Sequence, residues 1–191
     1  MSQVVKTDVD KEASAIRARM AALGTRLDNG ELSEWIVWVM PNVLGCVHRP
    51  LRHDPIFGRE RKGRFLPPEA SRHVLEWIQR LRELGIRSII LLMHPNELKH
   101  YARLDLGGVD LIEAYRHAGF EVAHIPWDDP AHRPELTRAT FEEELGRIRG
   151  EALKQFDELP KPVVLHCSAG IDRSSPVAAF IVCARKNWPN A

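Results

Sequence analysis

Pro162-Val163-Val164-Leu165-His166-Cys167-Ser168-Ala169-Gly170-Ile171-Asp172-Arg173-Ser174-Ser175 is the stretch from which the rest of the chain can be read. Pro162 to Leu165 is short, apolar and β-branched, which predicts a strand. Arg173 to Lys186 predicts a helix. The residues between them must make a tight strand-to-helix turn, with Gly170 at its middle. Such a turn aims successive backbone N–H groups at one centre and forms an anion nest. The helix start adds roughly half a positive charge. A cysteine placed there is favoured as thiolate. Arg173 can return to the same centre with a planar fork of donors that matches two oxygens of a tetrahedral oxyanion. Nucleophile, anion cradle and bidentate cation together suit phosphoryl transfer to sulfur. A bland reading exists for Cys167, a buried thiol at a strand end followed by a helix cap. A Cys-x5-Arg pair alone would not displace it, but the strand before the loop, His166, Gly170 and Ser174 do.

Outward from this loop, apolar periodicity marks alternating helices and short strands. A helix is predicted over Asp10 to Leu27, with Ile16, Met20, Leu23 and Leu27 on one stripe, ended by Asp28-Asn29-Gly30. Trp35 to Met40 reads as a strand bounded by Pro41, with a second short strand at Val43 to Val47. Leu51 to Arg64, charged and broken by glycines and a proline, reads as a surface loop. A helix opens at Pro67-Pro68 and runs to Leu84, and Gly85 closes it. Ile86 to Leu92 and Phe120 to Ile125 read as strands around a helix from Asp110 to Ala118. Thr140 with Glu143 suggests a capping box for a helix whose stripe is Phe141, Leu145, Ile148, Ala152 and Phe156, stopped by Pro160. This alternation predicts an α/β fold: a central, mainly parallel sheet of four or five strands with helices on both faces. The Cys167 loop should lie at the carboxyl end of a central strand. Residues 1–30 read as an N-terminal helical extension and residues 31–191 as the catalytic domain.

The segment His166-Cys167-Ser168-Ala169-Gly170-Ile171-Asp172-Arg173-Ser174 resembles the H-C-x2-G-x2-R-S/T signature of cysteine-dependent protein tyrosine and dual-specificity phosphatases. The resemblance spans Trp35 to Lys186 and is strongest in the loop. It implies that Cys167 attacks phosphorus and that Arg173 binds the phosphoryl oxygens. Ser174 would steady the departing sulfur, and His166 would order the cysteine. Ser168, Ala169, Gly170, Ile171, Asp172 and Arg173 would form the phosphate cradle. Related domains continue for one or two helices past the loop helix; here either the chain is trimmed, or the N-terminal helix Asp10 to Leu27 covers part of that surface, or an apolar face is left for a partner or a second copy.

Cleaving a phosphate ester leaves an alkoxide or phenoxide that a neutral acid must protonate. His124-Ile125-Pro126-Trp127-Asp128-Asp129-Pro130 supplies two carboxyls after a strand, and residue type alone leaves both open. The segment looks like the Ile-Pro-x-x-Asp segment of dual-specificity and lipid-directed phosphatases, which selects Asp129 and leaves Asp128 to order the loop.

Other functions are disfavoured. Net charge is +1, from 27 basic and 26 acidic residues, so the chain as a whole has no pull toward nucleic acid. No apolar run is long enough for a membrane span, and Met1 to Asp10 lacks the apolar core of a secretory signal. Three cysteines fit a reducing, cytoplasmic setting. Cys183 lies too far along the helix from Cys167 to pair with it. Cys46, His48 and His53 have metal-ligand side chains but no zinc spacing, and the chemistry requires neither metal nor cofactor. The expected function is phosphomonoester hydrolysis through a phosphocysteine intermediate on a phosphorylated protein, of phosphotyrosine or dual specificity. A phosphoinositide or other small-molecule phosphatase is the alternative, and a catalytically silent phosphate-binding module is the competitor of another class. Against a multiply phosphorylated substrate, the loop's only charge besides Arg173 is Asp172.

Overall fold

In the computed structural model, residues 5–58 and 65–186 are described. Helix α1 spans Lys6–Asp28, and strands β1 (Val37–Met40) and β2 (Leu44–Cys46) form a hairpin. Helix α2 (Ser71–Glu83), entered through a 3-10 turn at Pro68–Ala70, leads into β3 (Ser88–Leu91). A short helix α3 (Pro95–Leu98) follows, then α4 (Leu111–His117) and β4 (Glu121–His124). Helix α5 (Arg138–Glu158), β5 (Val163–His166) and α6 (Ser174–Ala184) complete the order.

The sheet has five strands in the order β1-β2-β5-β3-β4, with only the β1–β2 pair antiparallel. Strand β5 lies between β2 and β3 and is parallel to both. All four residues of β3 and of β5 are buried, as expected of strands covered on both faces. One face is covered by α2 and α4, through Val74, Trp77, Ile78, Leu81, Ala114 and Tyr115. The other carries α5, through Leu145, Ile148, Ala152 and Phe156, together with α6. This is the α/β architecture expected from the alternation of patterns.

The periodicities convert into burial as the spacing requires. In α1 the stripe Ile16, Met20 and Leu23 is fully buried. It packs with Val37, Cys46, Ala178 and Ala179, so α1 lies against α6 and the β1–β2 hairpin. Gly85 and Gly119 end α2 and α4 with φ of +76° and +90°, left-handed values that favour glycine.

Two local expectations are corrected. Helix α5 starts three residues earlier than a Thr140 cap would place it. Thr137 is the cap, extended at φ −75° and ψ 161°, and its hydroxyl accepts from the Thr140 amide. Thr140 is already in the first turn and turns its hydroxyl back to the Thr137 carbonyl. The segment after β2 is less superficial than its charge suggested: Leu51, beside the buried His48 and Arg49, is itself buried. Residues 59–64 of that expected loop lie outside the described residues.

Candidate functional site

The topology assembles the site. Parallel strands end on one edge, so the loop after central β5 is flanked by the loops after β2 and β3, with the loop after β4 one place further on. Each of these loops contributes to the same region.

The loop from Cys167 to Arg173 joins β5 to α6. Cys167 is buried. Gly170 has φ +67°, and a Cβ there would stand 2.6 Å from both the Val47 carbonyl oxygen and the Met20 Cε. Both the backbone angle and the close approach of the residue after β2 and of α1 therefore require glycine. Asp172 is exposed, and its carboxylate lies 3.6 Å from Nε of Arg17 on α1. The Ser174 and Ser175 hydroxyls are buried and have no hydrogen-bond partner among the described residues.

Arg173 is the largest fully buried side chain of the site, with 1% exposure. Its Nη1 donates to Glu97 Oε2 at 2.5 Å and its Nη2 to Glu97 Oε1 at 2.6 Å, a two-point clamp. Nη1 also donates to the Trp127 carbonyl at 2.7 Å. Burial opposes the charge on Arg173, but the Glu97 hydrogen bonds and the charges of Cys167, Glu97 and Asp129 outweigh it and raise its pKa. A permanently charged guanidinium is thereby held in one orientation.

Glu97 was not anticipated from the sequence. It sits at the third position of α3, where its Oε2 also accepts from the His94 backbone amide at 2.8 Å, while the His94 ring accepts from the Asn96 amide. The readable signal was His94-Pro95-Asn96-Glu97 directly after an apolar strand, a helix start with proline at its first position and Glu at its third.

His166 is fully buried beneath the loop. Its Nδ1 lies 3.1 Å from the Cys167 carbonyl and its Nε2 lies 3.4 Å from the Tyr115 hydroxyl. Burial lowers its pKa to about 4 and raises that of Tyr115 well above its ordinary value. A neutral imidazole and a neutral phenol leave one consistent arrangement: Tyr115 donates to Nε2, and Nδ1–H donates to the carbonyl of Cys167. His166 thus fixes the backbone that carries the thiol. Trp77 closes the pocket edge-on to the ring at 5.9 Å between centroids.

The two aspartates are in different situations. Asp129 Oδ2 lies 3.8 Å from Arg173 Nη2, and its Oδ1 accepts from the Ala131 amide. Asp128 is exposed and its Oδ1 accepts from the Asp129 amide. The loop bearing them is anchored at both ends on Glu144, which receives Trp127 Nε1 at 3.3 Å and Arg133 Nη1 at 2.8 Å. Trp127 itself is buried and stacks on Phe141.

The remaining candidates separate. Cys46 is buried with the α1–α6 cluster, and burial pushes its thiol up to about 12. Cys183 is a free thiol on α6. His48 and His53 meet edge-on at 4.2 Å between ring centroids, and His48 Nδ1 lies 2.7 Å from the Ala169 carbonyl. No helix among the described residues is long and apolar enough to cross a membrane. In comparisons with known proteins, no family model and no curated protein matches this chain.

Proposed function

We propose that the protein is a phosphomonoester hydrolase that works through a phosphocysteine intermediate. The observation that carries this reading is the buried Arg173, clamped by Glu97 and bonded to the Trp127 carbonyl, on the loop of Cys167 with Asp129 3.8 Å away. A helix-capping arginine would need none of these partners.

In this reading a phosphate enters the nest of backbone amides from Ser168 to Arg173. Arg173 binds two of its oxygens. The Cys167 thiolate attacks phosphorus, the S–P bond forms, and the P–O bond to the leaving group breaks while Asp129 gives that oxygen a proton. Asp129, now a carboxylate, takes a proton from water as the water attacks phosphorus. Phosphate leaves and the thiolate is restored. The buried Ser174 hydroxyl, which has no other partner among the described residues, is free to donate to the departing sulfur.

The substrate is proposed to be a phosphorylated protein, with phosphotyrosine or dual specificity, in a cytoplasmic setting. A phosphorylated small molecule is the second reading, favoured by the arginine-lined cavity beside the loop. Hydrolysis of phenyl phosphate by the wild type, blocked by vanadate and absent in Cys167→Ser, tests the reading. A chain that binds vanadate and hydrolyses nothing is instead a phosphate-binding module.

A further inference from the structure

A cavity of about 480 Å³ lies between the end of α1, the segment after β2 and α2. Its apolar wall includes Leu27, Trp35 and Trp77, and its charged lining includes Arg49, Arg52 and Arg80. The cavity is tied directly to the phosphate loop. The Arg49 amide donates to the Ser168 carbonyl and its Nε to the Ser168 hydroxyl, each at 3.3 Å. The neighbouring His48 ring holds the Ala169 carbonyl.

The positive charge of Arg49 and Arg52 is not spent on carboxylates among the described residues. Among the described residues Arg49 bonds only neutral groups: the Tyr101 hydroxyl, the Pro50 carbonyl and Ser168. Arg52 makes no side-chain hydrogen bond or ion pair among the described residues. Arg80 is different: its Nη1 lies 3.7 Å from Glu83 Oε2, and only its buried Nε has no hydrogen-bond partner among the described residues. The two carboxylates in the lining are engaged elsewhere. Asp54 holds the His73 ring and the amides of Ile56 and Phe57, and Glu76 pairs with Arg72. Arg52 feels partial burial and the like charge of Arg49, which lower its pKa against the opposing charges of Asp28 and Cys167. A half-buried cation beside a second cation, without a counter-charge in contact, is a site for an anion.

We propose that this cavity receives the leaving-group side of a small-molecule substrate, and that Arg52, with Arg49 beside it, binds a second anionic group, a phosphate or carboxylate, on an aromatic or apolar skeleton that rests against Trp35, Trp77 and Leu27. The inference rests on the phosphatase reading above and takes the second of its two substrate classes, the phosphorylated small molecule. The objection that the phosphate loop holds no second cation is met by topology. The cations come from the segment after β2, and Asp172 faces Arg17 on α1.

The test compares kcat/KM for phenyl phosphate, 1,4-phenylene bisphosphate and 4-carboxyphenyl phosphate in the wild type, Arg52→Gln and Arg52→Lys. The expected wild-type preference for the two doubly anionic substrates is about tenfold or more, the worth of one charge-assisted hydrogen bond. Arg52→Gln brings the ratio close to one, and Arg52→Lys restores part of it. A wild-type ratio near one, or a ratio unchanged by Arg52→Gln, overturns the inference, as does a stronger preference for a phosphotyrosyl peptide flanked by glutamates. Calorimetric binding to Cys167→Ser gives an answer independent of turnover. The bisphosphate should bind about tenfold tighter than phenyl phosphate, lose that margin in Cys167→Ser/Arg52→Gln, and be displaced by vanadate. Bisphosphate binding that vanadate leaves intact marks a separate effector site and contradicts the substrate assignment. If phenyl phosphate is not hydrolysed at all, the phosphatase reading fails, while the binding comparison still decides whether the cavity takes a second anion.

Discussion

Glu97 and Arg173 meet in a two-point ion pair, Oε2 to Nη1 at 2.5 Å and Oε1 to Nη2 at 2.6 Å, with the arginine 1% exposed. The pair joins the short helix after β3 to the first residue before α6. It leaves the guanidinium fixed before any ligand arrives. Preorganised charge is worth more to catalysis than charge that must be arranged on binding.

Removing one partner of a buried pair leaves the other charge uncompensated. Glu97→Ala is therefore expected to destabilise the fold by about 3–5 kcal/mol, measured by urea denaturation. Phosphate in the nest should return part of that loss, because it supplies Arg173 with a new counter-charge. A denaturation midpoint equal to that of the wild type would show that the clamp carries no load.

Asp129 and Asp128 are distinguished by leaving-group chemistry. If Asp129 protonates the leaving oxygen, Asp129→Asn should slow alkyl phosphates by about 10²–10⁴-fold. The loss should shrink for aryl phosphates with weakly basic leaving groups, which depart with less help. Asp128→Asn keeps an oxygen that can accept from the Asp129 amide and removes only a charge, so its effect should be smaller and independent of the leaving group. The reverse pattern would exchange the two roles.

Two buried histidines set a pH limit on stability. Burial lowers both His166 and His48 to about 4. The unfolded chain takes up these protons near pH 6.5, before the folded chain does. Stability is therefore complete above about pH 6.5 and falls as pH drops toward 4. Each histidine accounts for about 2 kcal/mol of loss by pH 5, read as a fall in urea midpoint between pH 7.5 and 5. His48→Asn should flatten that dependence. A midpoint constant over this range would contradict the burial argument.

Local pattern carried most of the fold. The stripe Ile16, Met20, Leu23 and the stripe Leu145, Ile148, Ala152, Phe156 are buried as their spacing requires. The loop from Cys167 to Arg173 was readable because its residues are contiguous. Glu97, Tyr115 and Arg49 were not, because each reaches the loop from a segment 50 or more residues distant, as the Tyr115–His166 separation of 51 illustrates. Strand order brings those segments together, and no local periodicity encodes the order β1-β2-β5-β3-β4. The Thr137 cap was missed for a different reason: two threonines three apart offer the same hydroxyl, and only the start of the helix decides between them.

The covalent intermediate is the most direct test of the account. The enzyme is mixed with an aryl phosphate, quenched in acid during turnover, digested and examined by mass spectrometry. The account predicts phosphate on Cys167 and on no other residue, accumulating further in Asp129→Asn, where water is no longer activated. It predicts none in Cys167→Ser. Turnover without a phosphorylated Cys167, or phosphate trapped on another side chain, would contradict it.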